Sequence, residues 1–118
     1  MRAYQIFTNG AMASTNAIVS EPLNMERVDN VGLEVEWTGN PTGAFVLEAS
    51  NKYDPIRNAS ATFKAITLAD PPDDPAGSAS GWLLDLNQIP FRWVRLRYTN
   101  ASGTGVLNAY AFRRSIGS

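Results

Sequence analysis

Hydrophobic and polar residues alternate with a period of two along most of the chain. In "VGLEVEWT", the apolar residues Val31, Leu33, Val35 and Trp37 recur at every second position. This period is typical of a strand with one buried face, because successive side chains of a strand point to opposite sides. Apolar residues at helical spacing form no convincing stripe anywhere in the sequence. The pattern therefore predicts a chain built from strands.

Turn-forming residues separate the apolar segments at regular intervals. "GNPTG" separates "VGLEVEWT" from "AFVLEAS", which predicts a hairpin from Val31 to Ser50. "NASGTG" separates "FRWVRLRYT" from "GVLNAYAFRR", which predicts a second hairpin. Four more segments have strand character: "RAYQIFTN", "STNAIVS", "ATFKAITL" and "WLLDLNQIP". About eight short strands predict an all-β fold, an antiparallel β-sandwich that is jelly-roll-like.

The length of 118 residues is enough for one domain with its own core. We predict a single β-sandwich domain over residues 1–118, with a long exposed Pro/Asp-rich loop at 69–81. Prolines in that loop remove the backbone donors that a strand needs. The inward-facing positions of the strands predict a core made of Val31, Leu33, Val35, Trp37, Phe45, Leu47, Phe63, Ile66, Leu84, Val94, Leu96 and Tyr98.

The composition excludes several kinds of chemistry. The sequence contains neither Cys nor His, so disulfides, Cys- or His-ligated metals and His-dependent nucleophilic catalysis are impossible. Glu34 and Glu36 lie about 7 Å apart on one strand face, but exposed strand carboxylates are usually only solvated charges. "DPPDD" could offer oxygens to calcium, yet it lacks the ligand spacing of a calcium loop. We expect no enzymatic activity, no catalytic residue, no cofactor and no metal site.

The charge is nearly balanced, with ten basic and eleven acidic residues and a net charge of −1. Such a chain has no global field that attracts nucleic acid or anionic lipid, so we expect neither nucleic acid nor a membrane as a partner. The N-terminal residues lack the apolar stretch of a secretory signal. We therefore expect synthesis in the cytoplasm.

Arginine and aromatic residues are interleaved in "FRWVRLRY". One face of this strand carries the predicted core residues Val94, Leu96 and Tyr98, and the other face carries Trp93, Arg95 and Arg97. The second face is too polar for a core and too aromatic for an ordinary solvated surface.

Three interpretations of this second face remain open. The arginines could pair across the sandwich with Glu34, Glu36 or Asp85. The face could instead stack a sugar or a single nucleic-acid strand. It could also be a subunit interface, because Trp and Arg are favoured anchors there. We hypothesise an interface in a homo-oligomer such as a trimer, in which Glu34 or Glu36 of a neighbouring copy receives Arg95 and Arg97.

Two longer stretches resemble small structural proteins of tailed bacteriophages. "TGNPTGAFVLEASNKYDP" contains a G-N-P-T-G turn and an E-x-S-N strand end, at residues 39–43 and 48–51. "FRWVRLRYTNASGTGVLNAYAF" contains W-V-R-L-x-Y-T-x-x-S-G-T-G-x-L at residues 93–107, and the resemblance covers residues 31–112. It implies a non-enzymatic virion protein, a capsid decoration or a spike- or tail-associated module. Such a module acts by self-association and by binding another virion protein, and it resides in the virion after synthesis in the host cytoplasm.

The same order of segments also looks like discoidin, or galactose-binding-like, β-sandwiches. In those domains an S-x-D hairpin precedes an aromatic strand, and a late V-R-L strand pairs with the C-terminal strand. This chain has Asn51 where Asp is common and Phe63 where Trp is common. The likeness implies an alternative function, a carbohydrate-binding module that attaches to a glycan of the host surface.

Overall fold

The computed structural model describes residues 4–13, 15–26, 28, 30–68, 70–87 and 90–114, with only the backbone for Tyr4, Asn87 and Arg114. The ends of three predicted segments, at residues 2–3, 14 and 88–89, and position 69 of the predicted loop lie outside the described residues. The described strands are β1 (Tyr4–Met12), β2 (Ala17–Val19), β3 (Leu23–Asn24), β4 (Asn30–Gly39), β5 (Thr42–Ser50), β6 (Lys64–Ala65), β7 (Ser80–Asn87), β8 (Trp93–Ser102) and β9 (Gly105–Arg114).

These strands form two antiparallel sheets. The first sheet has the order β1-β9-β4-β7, and the second has the order β2-β8-β5-β6, with β3 also pairing with β8. If β2 and β3 are counted as one interrupted strand, the arrangement is that of an eight-stranded jelly roll. The predicted fold class is confirmed. The described residues include no helix that is long and apolar enough to cross a bilayer.

Neither of the two predicted hairpins forms. β4 pairs with β7 and β9 in the first sheet, whereas β5 pairs with β6 and β8 in the second. In the same way, β8 belongs to the second sheet and β9 to the first. Both turns therefore carry the chain from one sheet to the other, and the hairpin predictions were wrong. Alternation indicates which side of a strand is buried, but it does not indicate which sheet the strand joins. A strand can bury its apolar side next to the preceding strand in the same sheet or opposite it in the facing sheet.

The two crossing turns pack side by side at one end of the sandwich. The pairing of β4 with β9 ends at Gly39 and Gly105, close to the point where Thr42 pairs with Ser102. The backbone N–H of Asn40 donates to the carbonyl oxygen of Thr104 at 2.9 Å. Gly39 and Gly103 have φ values of 85° and 72°, a region where glycine avoids the steric cost of a side chain. Glycine in both turns thus allows the two backbones to approach each other closely.

The core lies between the two sheets. Eight predicted core residues are buried within it, and Phe45, Ile66 and Leu84 are partly buried against it. Phe63 is also buried, but it lies outside this cluster. The sequence-based prediction missed other core residues, most of them on or next to β1, β3 and β9: Ile6, Phe7, Met12, Leu23, Met25, Ala49, Leu86, Leu107, Ala109 and Ala111.

The Pro/Asp-rich segment covers the beginning of β5. Residues 70–79 contain no strand, and most of their side chains are exposed. Asp74 accepts a hydrogen bond from the backbone N–H of Phe45 at 2.9 Å, and the carbonyl of Pro75 accepts one from Gly43 at 3.2 Å. β6 is short and pairs only with Glu48 and Ala49, so it leaves the beginning of β5 without a neighbouring strand on this side. The Pro/Asp-rich segment accepts the backbone N–H groups that are left there.

Candidate interaction surfaces

The arginine-bearing side of β8 lies on the outer face of the second sheet. Val94, Leu96 and Tyr98 are buried in the core, while Trp93, Arg95 and Arg97 point outwards and are partly exposed. The predicted division of this strand into two faces is therefore confirmed.

Arg95 is engaged within the molecule. Its Nε donates to Oε1 of Glu48 at 2.9 Å, and the two residues lie directly opposite each other on β8 and β5. The guanidinium carbon also lies 4.0 Å from the centre of the Phe63 ring, a cation–π contact. Because Glu48 is buried, this pair is part of the folded structure and is not available to a partner.

Aromatic rings cover the same end of the second sheet. Tyr53 packs edge-on against Trp93 at 5.0 Å between ring centres and against Phe63 at 5.3 Å. The chain turns back after β5 because the hydroxyl oxygen of Ser50 accepts the backbone N–H groups of Lys52 and Tyr53. We call Tyr53, Phe63 and Trp93 the aromatic cover. Through Tyr53 it covers part of the Trp93 ring, which the sequence suggested for stacking a ligand.

Arg97 is more accessible than Arg95. Its Nη1 is 4.0 Å from Oε2 of Glu48, and 42% of its side chain is exposed. Val19 on β2 and Val46 on β5 lie opposite it, and both are exposed. The centre of this outer face is therefore Arg97 between two exposed valines.

The structure separates the predicted partners of the arginines. Glu34 and Glu36 lie on β4, and Asp85 lies on β7, so all three belong to the first sheet. The interpretation in which Arg95 and Arg97 reach these carboxylates within one molecule is wrong. Their partner is Glu48, which sequence reasoning missed: the alternation of "AFVLEAS" puts Glu48 on an outer face, but its neighbour depended on which strand lay beside β5.

The outer face of the first sheet carries a shallow groove. Gly32 lies between Asp85 and Phe112 on the neighbouring strands, and Glu34 lies between Leu83 and Tyr110. A Cβ atom on Gly32 would meet nothing within 4 Å, so the glycine leaves a notch in the surface. The resulting groove has a volume of 390 Å³. We call it the Gly32 groove, with Glu34, Leu83, Asp85, Tyr110 and Phe112 around it.

Apolar side chains are exposed along this groove. Leu83, on the edge strand β7, is 78% exposed, and Phe112 on β9 is 39% exposed. Their neighbours on the same face are the carboxylates of Glu34 and Asp85. An exposed apolar surface with a charged rim is the composition expected of an interaction site.

Carboxylates without a cationic partner among the described residues lie on the outer face of the first sheet. Glu34, Glu36 and Asp85 form no ion pair with any described side chain, and we call their surface the acidic face. Arg113 is on β9 of the same sheet but donates to the carbonyl oxygen of Asn24. The second sheet and its connections carry both signs: the cations Lys52, Arg57, Lys64, Arg92, Arg95 and Arg97, and the carboxylates of Glu21, Glu26, Glu48, Asp54, Asp70, Asp73 and Asp74. The first sheet thus exposes carboxylates without a described cationic partner, whereas the second sheet mixes both signs and presents the partly exposed Arg97 on its outer face.

A tight loop on the side of the second sheet presents an apolar residue. Oδ1 of Asp54 accepts the backbone N–H groups of Ile56 and Arg57, both at 2.8 Å. The hydrogen bonds from Arg57 and Ile56 hold the pKa of Asp54 below its ordinary value. Backbone hydrogen bonds between Asp54 and Asn58 close the loop. Ile56 at its tip is 91% exposed.

A second groove, of 670 Å³, lies between the end of β5, the following loop and β6. Asn51, Asn58 and Thr62 line it, together with Lys52 and Lys64, the two lysines of the chain. Neither lysine forms an ion pair with a described carboxylate. Its surface therefore offers amides, hydroxyls and ammonium groups to a ligand, beside the apolar residues Ala49, Ala61, Ala65, Ile66 and Phe91.

No group of three or more acidic side chains among the described residues is placed to hold a metal ion. A scan against protein-family models finds no match, and a search of curated protein sequences finds none either. The function must therefore be argued from the surfaces of the molecule.

Proposed function

We propose that this protein is a non-enzymatic structural component of a virion, a capsid decoration or a spike- or tail-associated module, that acts by self-association and by binding another virion protein. The observation that carries the proposal is the acidic face, whose carboxylates have no cationic partner among the described side chains and lie beside exposed Leu83 and Phe112. The jelly-roll arrangement is compatible with it, because this architecture occurs in viral capsid domains. The sequence resemblance to phage structural proteins points the same way.

The partly exposed Arg97 on one side and the carboxylates without a described partner on the other favour contact between the acidic face of one copy and the second sheet of the next. In such a contact Arg97 of one copy meets Glu36 of its neighbour. Val19 and Val46 beside Arg97 then face exposed Val106, which lies near Glu36 on the acidic face. The net charge of −1 gives little long-range repulsion between copies.

The geometry of this contact determines the kind of assembly. The two surfaces lie on opposite sides of the sandwich, so a head-to-tail contact between them repeats as a stack. A closed trimer would need two surfaces that are steeply inclined to each other, so this contact replaces the trimer suggested by the sequence with an open stack. An open stack has a free binding face at each end and needs a terminating protein. The other virion protein takes that role by covering one of these faces.

Light scattering over a concentration series tests the self-association. We expect the mass to rise above the 12.8 kDa of one chain as the concentration increases. Arg97→Glu and Glu36→Arg should each lower the association, and a mixture of the two variants should recover it as an alternating stack, because each variant supplies the complement of the other on both faces. Lys64→Glu is the control with the same change of charge. A wild-type protein that remains a monomer at millimolar concentration would exclude self-association.

Sedimentation tests the location in the virion. In cells that produce the encoding phage, the protein should sediment with purified virions and be found there by mass spectrometry. Recovery of the protein only from the unsedimented fraction would overturn the virion part of the proposal.

A carbohydrate-binding module is the second candidate, and the 670 Å³ groove favours it. Amide, hydroxyl and ammonium groups such as those of Asn51, Thr62 and Lys64 bind sugar hydroxyls by hydrogen bonds. A monomeric wild type that binds glycans on an array, and loses this binding in Lys64→Ala and Thr62→Ala, would support this function over the structural one.

A further inference from the structure

The loop at Asp54–Asn58 presents its apolar tip in a fixed shape. Its backbone is held by the carboxylate of Asp54 and by the pair of backbone hydrogen bonds to Asn58. An isoleucine that is almost fully exposed on such a loop gains no burial in the single molecule. A loop that is already ordered loses little conformational entropy on binding, which favours its use as a contact element.

The Gly32 groove on the opposite side of the molecule has the complementary composition. Leu83, Tyr110 and Phe112 provide apolar walls, and the notch at Gly32 leaves space for a side chain. Glu34 and Asp85 place carboxylates at its rim. Isoleucine followed by arginine, the sequence at the loop tip, matches an apolar notch beside a carboxylate.

We infer that Ile56 of one copy inserts into the Gly32 groove of the next copy, and that Arg57 pairs there with Asp85 or Glu34. The occupant of the groove is therefore a second copy of this chain. This inference rests on the proposed self-association and adds its central apolar contact, since the stacking surfaces alone offer only scattered valines.

The spacing of the two contacts agrees on both surfaces. Gly32 and Glu36 are four residues apart on β4, which is about 13 Å along a strand. Trp93 and Arg97 are four residues apart on β8, again about 13 Å, and the loop leaves the sheet where Tyr53 packs on Trp93. If β8 of one copy lies along β4 of the next with Arg97 at Glu36, Trp93 and the beginning of the loop beside it come to the region of Gly32.

Substitutions at the loop and in the groove test the contact separately. Ile56→Ala should lower the association constant about tenfold or more, since it removes most of a buried isoleucine side chain. Gly32→Leu should do the same by filling the notch, where a side chain has room in the isolated molecule. Arg57→Glu should also weaken association, while Lys52→Glu, the same change of charge two residues before the loop, should have little effect. Circular dichroism checks that each variant keeps the β fold.

Cysteine cross-linking gives a direct readout, because the native chain has no cysteine. A mixture of Ile56→Cys and Leu83→Cys should form a disulfide-linked dimer under mild oxidation faster than either variant alone. Thr15→Cys mixed with Leu83→Cys is the control, because Thr15 is exposed on the turn before β2.

The outcomes separate this inference from the proposed function. If the wild type does not associate, both fail. If it associates and responds to Arg97→Glu and Glu36→Arg, but not to Ile56→Ala or Gly32→Leu, the loop contact alone is wrong. Equal cross-linking rates for the test and control mixtures would overturn it as well.

Discussion

The two outer faces of the sandwich use charged and aromatic residues in opposite ways. On the second sheet, Arg95 is held by Glu48 and covered by Phe63, so its charge is satisfied inside the molecule. On the first sheet, Glu34, Glu36 and Asp85 have no described cationic partner, and Leu83 and Phe112 beside them are exposed. The stretch richest in arginine and tryptophan is thus largely structural, and the plainer face is the better binding candidate. A surface is available for binding when its charged and apolar side chains have no partner within the molecule, whatever its residue composition.

The largest expected difference between the faces concerns their carboxylates. Glu48→Leu leaves the partly buried guanidinium of Arg95 without its ion-pair partner and should lower the free energy of unfolding by about 3 kcal/mol. Glu34→Leu on the acidic face should change it by less than about 0.5 kcal/mol. Urea denaturation measures both values, and the double variant Glu48→Leu with Arg95→Met should recover part of the loss. Equal effects of Glu48→Leu and Glu34→Leu would remove the distinction between the faces.

The aromatic residues should show a smaller difference of the same kind. Phe63→Ala opens a cavity under Arg95 and should cost about 3 kcal/mol. Phe112→Ala removes a ring that is already partly in water, and we expect a cost of about 1 kcal/mol or less. The same denaturation measurements apply. A larger cost for Phe112 than for Phe63 would show that the first sheet, and not the second, depends on its outer aromatic residues.

Salt should distinguish the two faces without a mutation. Contacts between the acidic face and Arg97 of another copy are accessible to solvent, so sodium chloride should weaken self-association. The Arg95–Glu48 pair is largely buried, and its part in stability should change little over the same range. Light scattering and urea denaturation at low and high salt compare the two effects. Association that strengthens with salt would point to an apolar contact without a charge contribution.

The smallest expected effect is the loss of the loop structure in acid. The folded pKa of Asp54 lies below its ordinary value of 3.8, so its carboxylate stabilises the loop fully above that value. This contribution is lost as the pH falls through the folded pKa. The backbone amide signals of Ile56 and Arg57 in NMR spectra should shift in this acidic range. In Asp54→Asn that titration should be missing, and an unchanged shift would show that another carboxylate controls the loop.

Part of the interaction surface could be predicted from the sequence, and part could not. The outward direction of Trp93, Arg95 and Arg97 followed from the alternation of β8 alone. The loop tip at Ile56 and the Gly32 groove could not be predicted from the sequence. An isolated isoleucine in a polar stretch and a glycine in a strand occur for many structural reasons, so neither indicates an interaction site. The groove exists only because Leu83 and Phe112 are brought beside Gly32 by strands far apart in the chain.

The sequence by itself determined the all-β architecture and the buried side of the central strands, because side-chain direction in a strand depends only on position along it. Val94, Leu96 and Tyr98 could face nowhere but the core. Only the tertiary structure decided that "GNPTG" and "NASGTG" cross between the sheets, and hence that Arg95 meets Glu48 and not Glu34. The physical reason is that glycine and proline allow the chain to return or to cross, and the choice between the two rests on how all the strands share one core.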